Sequence, residues 1–372
     1  MKSKLFDIDW LLILFLVPVL GAGLVTMKSF TEETPYFSHQ LLWIAISFAV
    51  LLFLSYIDFR FLKRTEVLVL LFSAFCLMLL MLFVVGHTSN GAQSWFSFGW
   101  FSFQPSDMMK LVLILMLAKY FSRRHVEIDN FKHIFITGLY ALIPFVLVLL
   151  QPDFGSAMII FFIWFGMTLV SGLSRKHLFI VVGIAVVTFV FFWAFMFQPY
   201  QKARIMTFIN PLSHLQGAGY NVYQSTIAVG SGEVLGKGVG FGTQSRLKFL
   251  PEYETDFIFA AFAEEWGFVG VTLLFTLIGL IIWRILRIAL LGATNFEMLY
   301  GIGLAIYFMS HFIINVGMNI GVMPVTGITL PFMSYGGSHL LTEFIGLGIL
   351  FGMSHYRRVA HRDDMRNEFL GI

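Results

Sequence analysis

The chain has 372 residues, of which 58% are hydrophobic, 44 are Phe and only 12% are charged, with a net charge of +3. A soluble domain carries about 25% charged residues, so a water-soluble enzyme is excluded, and so small a net charge gives no ground for a nucleic-acid partner. The uncharged runs are long enough to cross ~30 Å of hydrocarbon, and only closed backbone hydrogen bonding survives there, which predicts an all-α polytopic membrane protein.

Ten transmembrane helices are predicted, at residues 10–27, 39–57, 67–86, 106–121, 133–150, 155–173, 178–197, 256–283, 297–322 and 333–354. The first run is too long for a signal-peptide core and has no clear small-x-small cleavage site, so it reads as a retained helix. The single Cys76 lies in an apolar run, so no intrachain disulfide supports the fold.

Basic residues orient the spans. One set of connections and tails holds Lys2, Lys4, Arg60, Lys63, Arg64, Lys119, Arg123, Arg124, Lys132, Arg175, Lys176, Arg284, Arg287, Arg357, Arg358, Arg362 and Arg366, whereas the short loops of the opposite set hold Lys28 alone. Basic residues stay inside, so both termini are expected to be cytoplasmic. Residues 198–255 then form a long extracytoplasmic loop between the seventh and eighth helices, within a single membrane domain of residues 1–372. A connection of that length is functional or disordered far more often than incidental. Two shorter outer segments also stand out: the aromatic stretch 94–103, read as interfacial and partly inserted, and the Pro/Gly-rich 321–337. No internal repeat is visible, which counts against an inverted-repeat transporter.

An ionisable residue inside a span costs ~2.5–3.5 kcal/mol at mid-bilayer and is a functional candidate by default. Lys110 lies four residues inside the fourth span, with Asp107 on the same helical face; the alternative is a lysine snorkelling to the outer interface. Asp153, in Gln151-Pro-Asp-Phe-Gly-Ser156, opens the sixth span as a cap or as part of a site. Asp256 opens the eighth span with the same two readings. Glu264 and Glu265 lie ~12–14 Å further along at ~1.5 Å per residue; they point apart and are not expected to share a site, with buried pairing or protonation the fate of at least one. His311, Asn315 and Asn319 form a polar stripe suited to interhelical hydrogen bonding, which Glu343 is expected to join. Gly232-Glu-Val-Leu-Gly-Lys-Gly238 lacks the spacing and the Ser/Thr of a nucleotide loop, and no cluster has zinc-ligand spacing. No nucleotide cofactor is expected.

Several stretches in fixed order carry a resemblance: Phe103-Gln-Pro-Ser-Asp-Met-Met-Lys110, Gln151-Pro-Asp-Phe-Gly155, Tyr200-Gln-Lys-Ala-Arg204, Gly217-Ala-Gly-Tyr220, the glycines up to Gly242-Thr-Gln-Ser245, residues 249–259, and Pro331-Phe-Met-Ser-Tyr-Gly-Gly-Ser338. Together they resemble the SEDS family (shape, elongation, division and sporulation), and Gly242-Thr-Gln-Ser245 and Pro324-Val-Thr-Gly327 look most like its RodA branch. Two departures are Glu254, where the family commonly has His, and Asp107, where it commonly has Glu.

The resemblance implies a peptidoglycan polymerase, serving cell elongation and rod shape in the bacterial plasma membrane. It would join lipid II disaccharides by β-1,4 linkages outside the membrane, with undecaprenyl pyrophosphate leaving and a class B penicillin-binding protein as partner beside the elongation machinery. The residue matching the family's essential Asp is Asp256, the candidate base. Lys110 and Arg204 are candidates for the phosphates, and Asp153 for orienting them or holding a divalent cation. Asp107, Gln104 and Ser334, in the matching stretches, complete the expected substrate site. The rival readings are a lipid II flippase, which needs polar residues through the full membrane depth, and a scaffold without chemistry.

Overall fold

The computed structural model describes residues 8–29, 36–89, 92–99, 102–123, 131–196, 199–209, 218–247 and 249–370. Its helices are α1 (Trp10–Ser29), α2 (Tyr36–Ser55), α3 (Thr65–Val85), α4 (Pro105–Ser122), α5 (Phe131–Leu150), α6 (Phe154–Val170), α7 (Arg175–Phe191), α8 (Pro199–Ile209), α9 (Ala218–Ser231), α10 (Thr243–Arg246), α11 (Ile258–Leu290), α12 (Asn295–Asn319) and α13 (Gly337–Leu370). Each of the ten expected spans falls on a helix. Seven are long and apolar enough to cross a membrane: α1, α2, α3, α5, α7 (with the π-turn Phe192–Met196 that extends it), α11 and α12. Of the other three, α6 is a shorter apolar helix of 17 residues, while α4 carries Asp107, Lys110 and Lys119.

The aromatic segment before α4 is built of short strands. It is an antiparallel meander of β1 (His87–Ser89), β2 (Ala92–Ser97) and β3 (Ser102–Phe103), with Phe96 opposite Phe103 and Ser97 opposite Ser102. β3 leads directly into Gln104, the residue that precedes α4.

Helix α4 is the centre of the bundle. It packs against α3, α5, α6, α12 and α13, and Met109, Leu111, Leu113, Ile114 and Leu117 on all its sides are buried. A helix apolar all round belongs in an interior, so its two charges near the N-terminus are carried into the core with it. α13 lies along α2, and α11 lies between α1 and α12.

The eighth span differs from the expectation of one continuous helix beginning at Asp256. α11 starts at Ile258 and is broken at Gly267, whose φ of 62° and ψ of −165° are non-helical. A regular helix would bond the N–H groups of Phe268 and Val269 to the carbonyls of Glu264 and Glu265. Here the turn of residues 232–238 replaces both rungs. Lys237 N and Gly238 N each donate to those two carbonyls at 3.0 Å, while Phe268 N donates to Glu233 O at 2.9 Å and Val269 N to Val234 O at 3.1 Å. An unsatisfied backbone group at membrane depth costs several kcal/mol, so the break depends on the turn. The glycines that fail as a nucleotide loop have this use: a Cβ on Gly236 would run into the backbone of Glu265 and Trp266.

The two glutamates before the break hold the same segment by their side chains, separately as expected. Glu264, fully buried, accepts from Lys237 Nζ at 2.7 Å, Thr243 N at 2.8 Å and Gln244 N at 3.1 Å, capping α10. Glu265 accepts from Gly240 N at 2.9 Å and from the Ser29 hydroxyl on α1. Gly267→Ala is expected to lower stability by about 1–3 kcal/mol, because that backbone region is open almost only to glycine. Thermal unfolding of the purified protein in detergent measures this, and Gly279→Ala, in open space on the same helix, should stay near wild type.

Candidate active site

Asp256 stands just outside the start of α11. Phe257 holds the N-cap position without a side-chain bond. A capping acceptor comes from another helix: Asn319 Oδ1 on α12 takes the Ala260 N–H at 3.2 Å. Asn315 Nδ2 and Asn319 Nδ2 both donate to the Asp256 carbonyl, at 2.9 and 3.0 Å, which fills its two lone pairs and fixes the backbone that presents the carboxylate. The asparagines of the polar stripe therefore build the approach to Asp256.

A short extended segment passes beside that carboxylate. Asn315 Nδ2 also donates to Ile328 O at 2.7 Å. Gly327 next to it has φ +74° and turns its bare face to Asp256, so that a Cβ there would lie 3.5 Å from Asp256 Oδ2. On the other side, α6 lies flush on the segment at Gly155, where a Cβ would come within 2.6 Å of Thr326 O. Thus α6, residues 326–328 and Asp256 are stacked in series. Gly327→Ala adds a methyl against the carboxylate in a backbone region that costs about 1–3 kcal/mol for a side chain. Activity is expected to fall about tenfold or more at equal expression, since ~1.4 kcal/mol in a barrier is a factor of ten; initial-rate assays measure it.

The other expected residues occupy defined places. Asp153 is the N-cap of α6, with Oδ1 accepting from Ser156 N at 3.0 Å, and its Oδ2 accepts from Gln104 Nε2 at 2.9 Å. The cap reading is met, and the second oxygen ties α6 to the head of α4. Gln104 N donates to Ser338 Oγ at 3.1 Å, which joins the starts of α4 and α13. Ser334 Oγ donates to Thr255 O at 2.6 Å and accepts from Leu330 N at 2.8 Å. It tethers the residue before Asp256, and its hydroxyl is occupied by backbone partners. Arg204 is on α8, and its side chain is outside the described residues, as is Gly217. Among the described residues, no group of three or more His, Cys, Asp or Glu side chains is arranged to hold a metal ion.

Lys110 does not snorkel. It is 1% exposed and its Nζ lies 2.9 Å from Asp107 Oδ1, about 9 Å below Gln104 along α4 at ~1.5 Å per residue. The pair continues into residues that the sequence reading missed or left unconnected. His339 Nδ1 lies 3.6 Å from Asp107 Oδ2, and His339 Nε2 lies 3.1 Å from Glu343 Oε1. Glu343 Oε2 accepts from Phe332 N at 3.0 Å. His311 bridges the two halves of the site: its ring is 4.8 Å from that of His339, and its Nδ1 faces Thr329 O at 3.4 Å. Glu343 thus joins the polar stripe through His339. The signal for this was a His and a Glu four residues apart inside an apolar helix. Gln40 was missed too; from α2 it donates to Ser334 O at 3.1 Å and accepts from Gly336 N at 3.3 Å.

These features define a multi-pass helical membrane protein with a carboxylate at the head of a broken helix and a buried row of ionisable side chains near it. Residues 4–359 match the FtsW/RodA/SpoVE model, described as a cell cycle protein, and the chain belongs to this family. It is 34% identical over 370 residues to stage V sporulation protein E of Bacillus subtilis, covering 96% of this chain and 100% of that one. It is 39% identical over 281 residues to the peptidoglycan glycosyltransferase MrdB of Escherichia coli K12, covering 74% of this chain and 75% of that one. Among solved structures, it is similar to a chain described under structural coordination of polymerization and crosslinking by a peptidoglycan synthase complex, with TM-score 0.80, 30% identity, and 94% and 98% of the two chains covered. It is also similar to the rod shape determining protein RodA of Thermus thermophilus, with TM-score 0.70, 29% identity, and 94% and 97% covered.

Proposed function

We propose that this peptidoglycan glycosyltransferase polymerises lipid II on the outer face of the bacterial plasma membrane, for cell elongation and rod shape. Asp256 takes the proton from the acceptor hydroxyl as its oxygen attacks the anomeric carbon of the donor. The bond from that carbon to phosphate breaks, and undecaprenyl pyrophosphate leaves with the bonding electron pair. Inversion at the α-linked donor carbon gives the β-1,4 linkage. Lys110, with Asp107 as its counter-ion, supplies positive charge for the leaving group; Gln104 and Asp153, bonded to each other at the heads of α4 and α6, and Arg204 of α8 are further candidates for binding it, and Ser334 holds the loop that carries Asp256. A class B penicillin-binding protein of the elongation machinery crosslinks the product.

The observation that carries this reading is the placement of Asp256. Its backbone is held by two asparagines and its carboxylate faces the bare side of Gly327, which supports a role for the acid toward a substrate. The elongation role is supported by Gly242-Thr-Gln-Ser245 and Pro324-Val-Thr-Gly327, which look most like the RodA branch. The test is glycan synthesis from purified lipid II in detergent by this chain with a transpeptidase-inactive class B partner. Polymer is expected, and its absence would overturn the reading in favour of lipid transport. Orientation is checked by cysteine labelling of intact cells: a Cys placed at Thr243 is expected to react with an impermeant reagent from outside, and labelling only after lysis would invert the topology.

A further inference from the structure

The buried row beside the site has two members, His339 and Glu343, for which the proposed chemistry gives no task. His339 on α13 is 6% exposed and lies between two carboxylates, Asp107 at 3.6 Å and Glu343 at 3.1 Å. The charged and titratable groups around it are Asp107 and Lys110 on α4, Tyr307 and His311 on α12, and Glu343 on its own helix. Asp107 Oδ2, His339 Nε2 and Glu343 Oε1 are buried without an aligned hydrogen bond, so the ring meets the two carboxylates as a close neighbour rather than as a bonded donor. A cation between two buried carboxylates offsets both, so the placement suits an imidazolium.

We propose that His339 is a positioning residue for Lys110, an imidazolium that shares the charge of Asp107 so that Lys110 keeps positive charge for a substrate phosphate. This rests on the reading of Lys110 as the group that meets the pyrophosphate. Asp107 stands between two cations, its Oδ1 toward Lys110 and its Oδ2 toward His339. With His339 charged, the triad Lys110–Asp107–His339 carries one net positive charge. With a neutral residue at 339, Asp107 cancels Lys110 and the triad offers a phosphate nothing. Glu343 balances the row from below: it is four residues further along α13, about 6 Å, and is itself fixed by the Phe332 N–H. An extra unit charge placed this way acts through Lys110 on the leaving group, whose negative charge grows as its bond to the sugar breaks, so losing it lowers kcat as well as kcat/KM.

The test is steady-state polymerisation of lipid II by the purified chain with its transpeptidase-inactive class B partner. His339→Gln is expected to lower kcat/KM about tenfold, with kcat falling too and the melting temperature near wild type. His339→Lys, which keeps a cation, should hold kcat/KM within about threefold of wild type, because the effect depends on charge rather than on the ring. A merely structural histidine would lower activity and melting temperature alike in both variants, and that outcome, or an unchanged kcat/KM in His339→Gln, overturns the proposal. Should His339→Gln fail to fold, the double variant His339→Gln/Glu343→Gln removes one charge of each sign and must show the same fall in kcat/KM; a wild-type value there is equally fatal. Lys110→Met separates the two levels. If it loses activity while His339→Gln keeps its kcat/KM, only the role of His339 falls; if it polymerises like wild type, the reading of Lys110 falls and the proposal with it.

Discussion

Asp256→Asn is expected to cut glycan product by at least about two orders of magnitude, because general-base catalysis is worth ~10²–10⁴-fold. The change is nearly isosteric and cannot act through helix capping. Asn caps about as well as Asp, and an acceptor for the first turn of α11 is supplied by Asn319. The backbone at 256 is held through its carbonyl by Asn315 and Asn319, so the substitution leaves the approach in place. Melting temperature and partner binding should stay near wild type. The measurement is detergent-solubilised polymerisation by both proteins side by side. Equal polymer from both would remove Asp256 from the chemistry.

Lys110→Met is the second large effect, and the structure sharpens it. Removing one partner of a buried ion pair ordinarily costs about 3–5 kcal/mol, because the other is left uncompensated. Asp107 has His339 on its second oxygen, so Lys110→Met is expected to fold at a modest loss of stability while polymerisation falls by about two orders of magnitude or more, the scale typical of a lost electrostatic donor to a developing anion. Lys110→Arg should recover only part of it, since a planar fork does not replace a point charge. Wild-type rates in Lys110→Met at equal protein would show that the cation serves packing alone.

The spans were legible because a run of apolar residues has few other fates in a chain so poor in charge. The buried charges of α4 were legible for the complementary reason, that an ionisable group in such a run must find a partner. The break in α11 was not. Gly267 sits in Trp266-Gly-Phe-Val-Gly270, which reads as ordinary helix, and the turn that replaces its hydrogen bonds lies some thirty residues earlier. The strands before α4 were hidden by their aromatic content, which suits an interface as well as a sheet. Asp256 was visible as a polar residue at the head of a span, but the residues that present it come from α12 and from the segment at Gly327. His339 and Glu343 needed the third dimension: their spacing shows one face of a helix, and only the packing of α13 near α4 shows that this face meets Asp107.

The break at Gly267 makes the head of α11 a mechanical part distinct from its shaft. Residues 258–266 are clamped through Glu264 and Glu265 to the turn, to α10 and to Ser29, and α11 as a whole packs on α1 and α12. The tip is held as well, because Asn315 and Asn319 on α12 bind the Asp256 carbonyl and Asn319 takes the Ala260 N–H. The acid therefore sits in a splint with two sides, the outer turn and α12, and the glycine lets the chain change direction between them without leaving a backbone group unpaired.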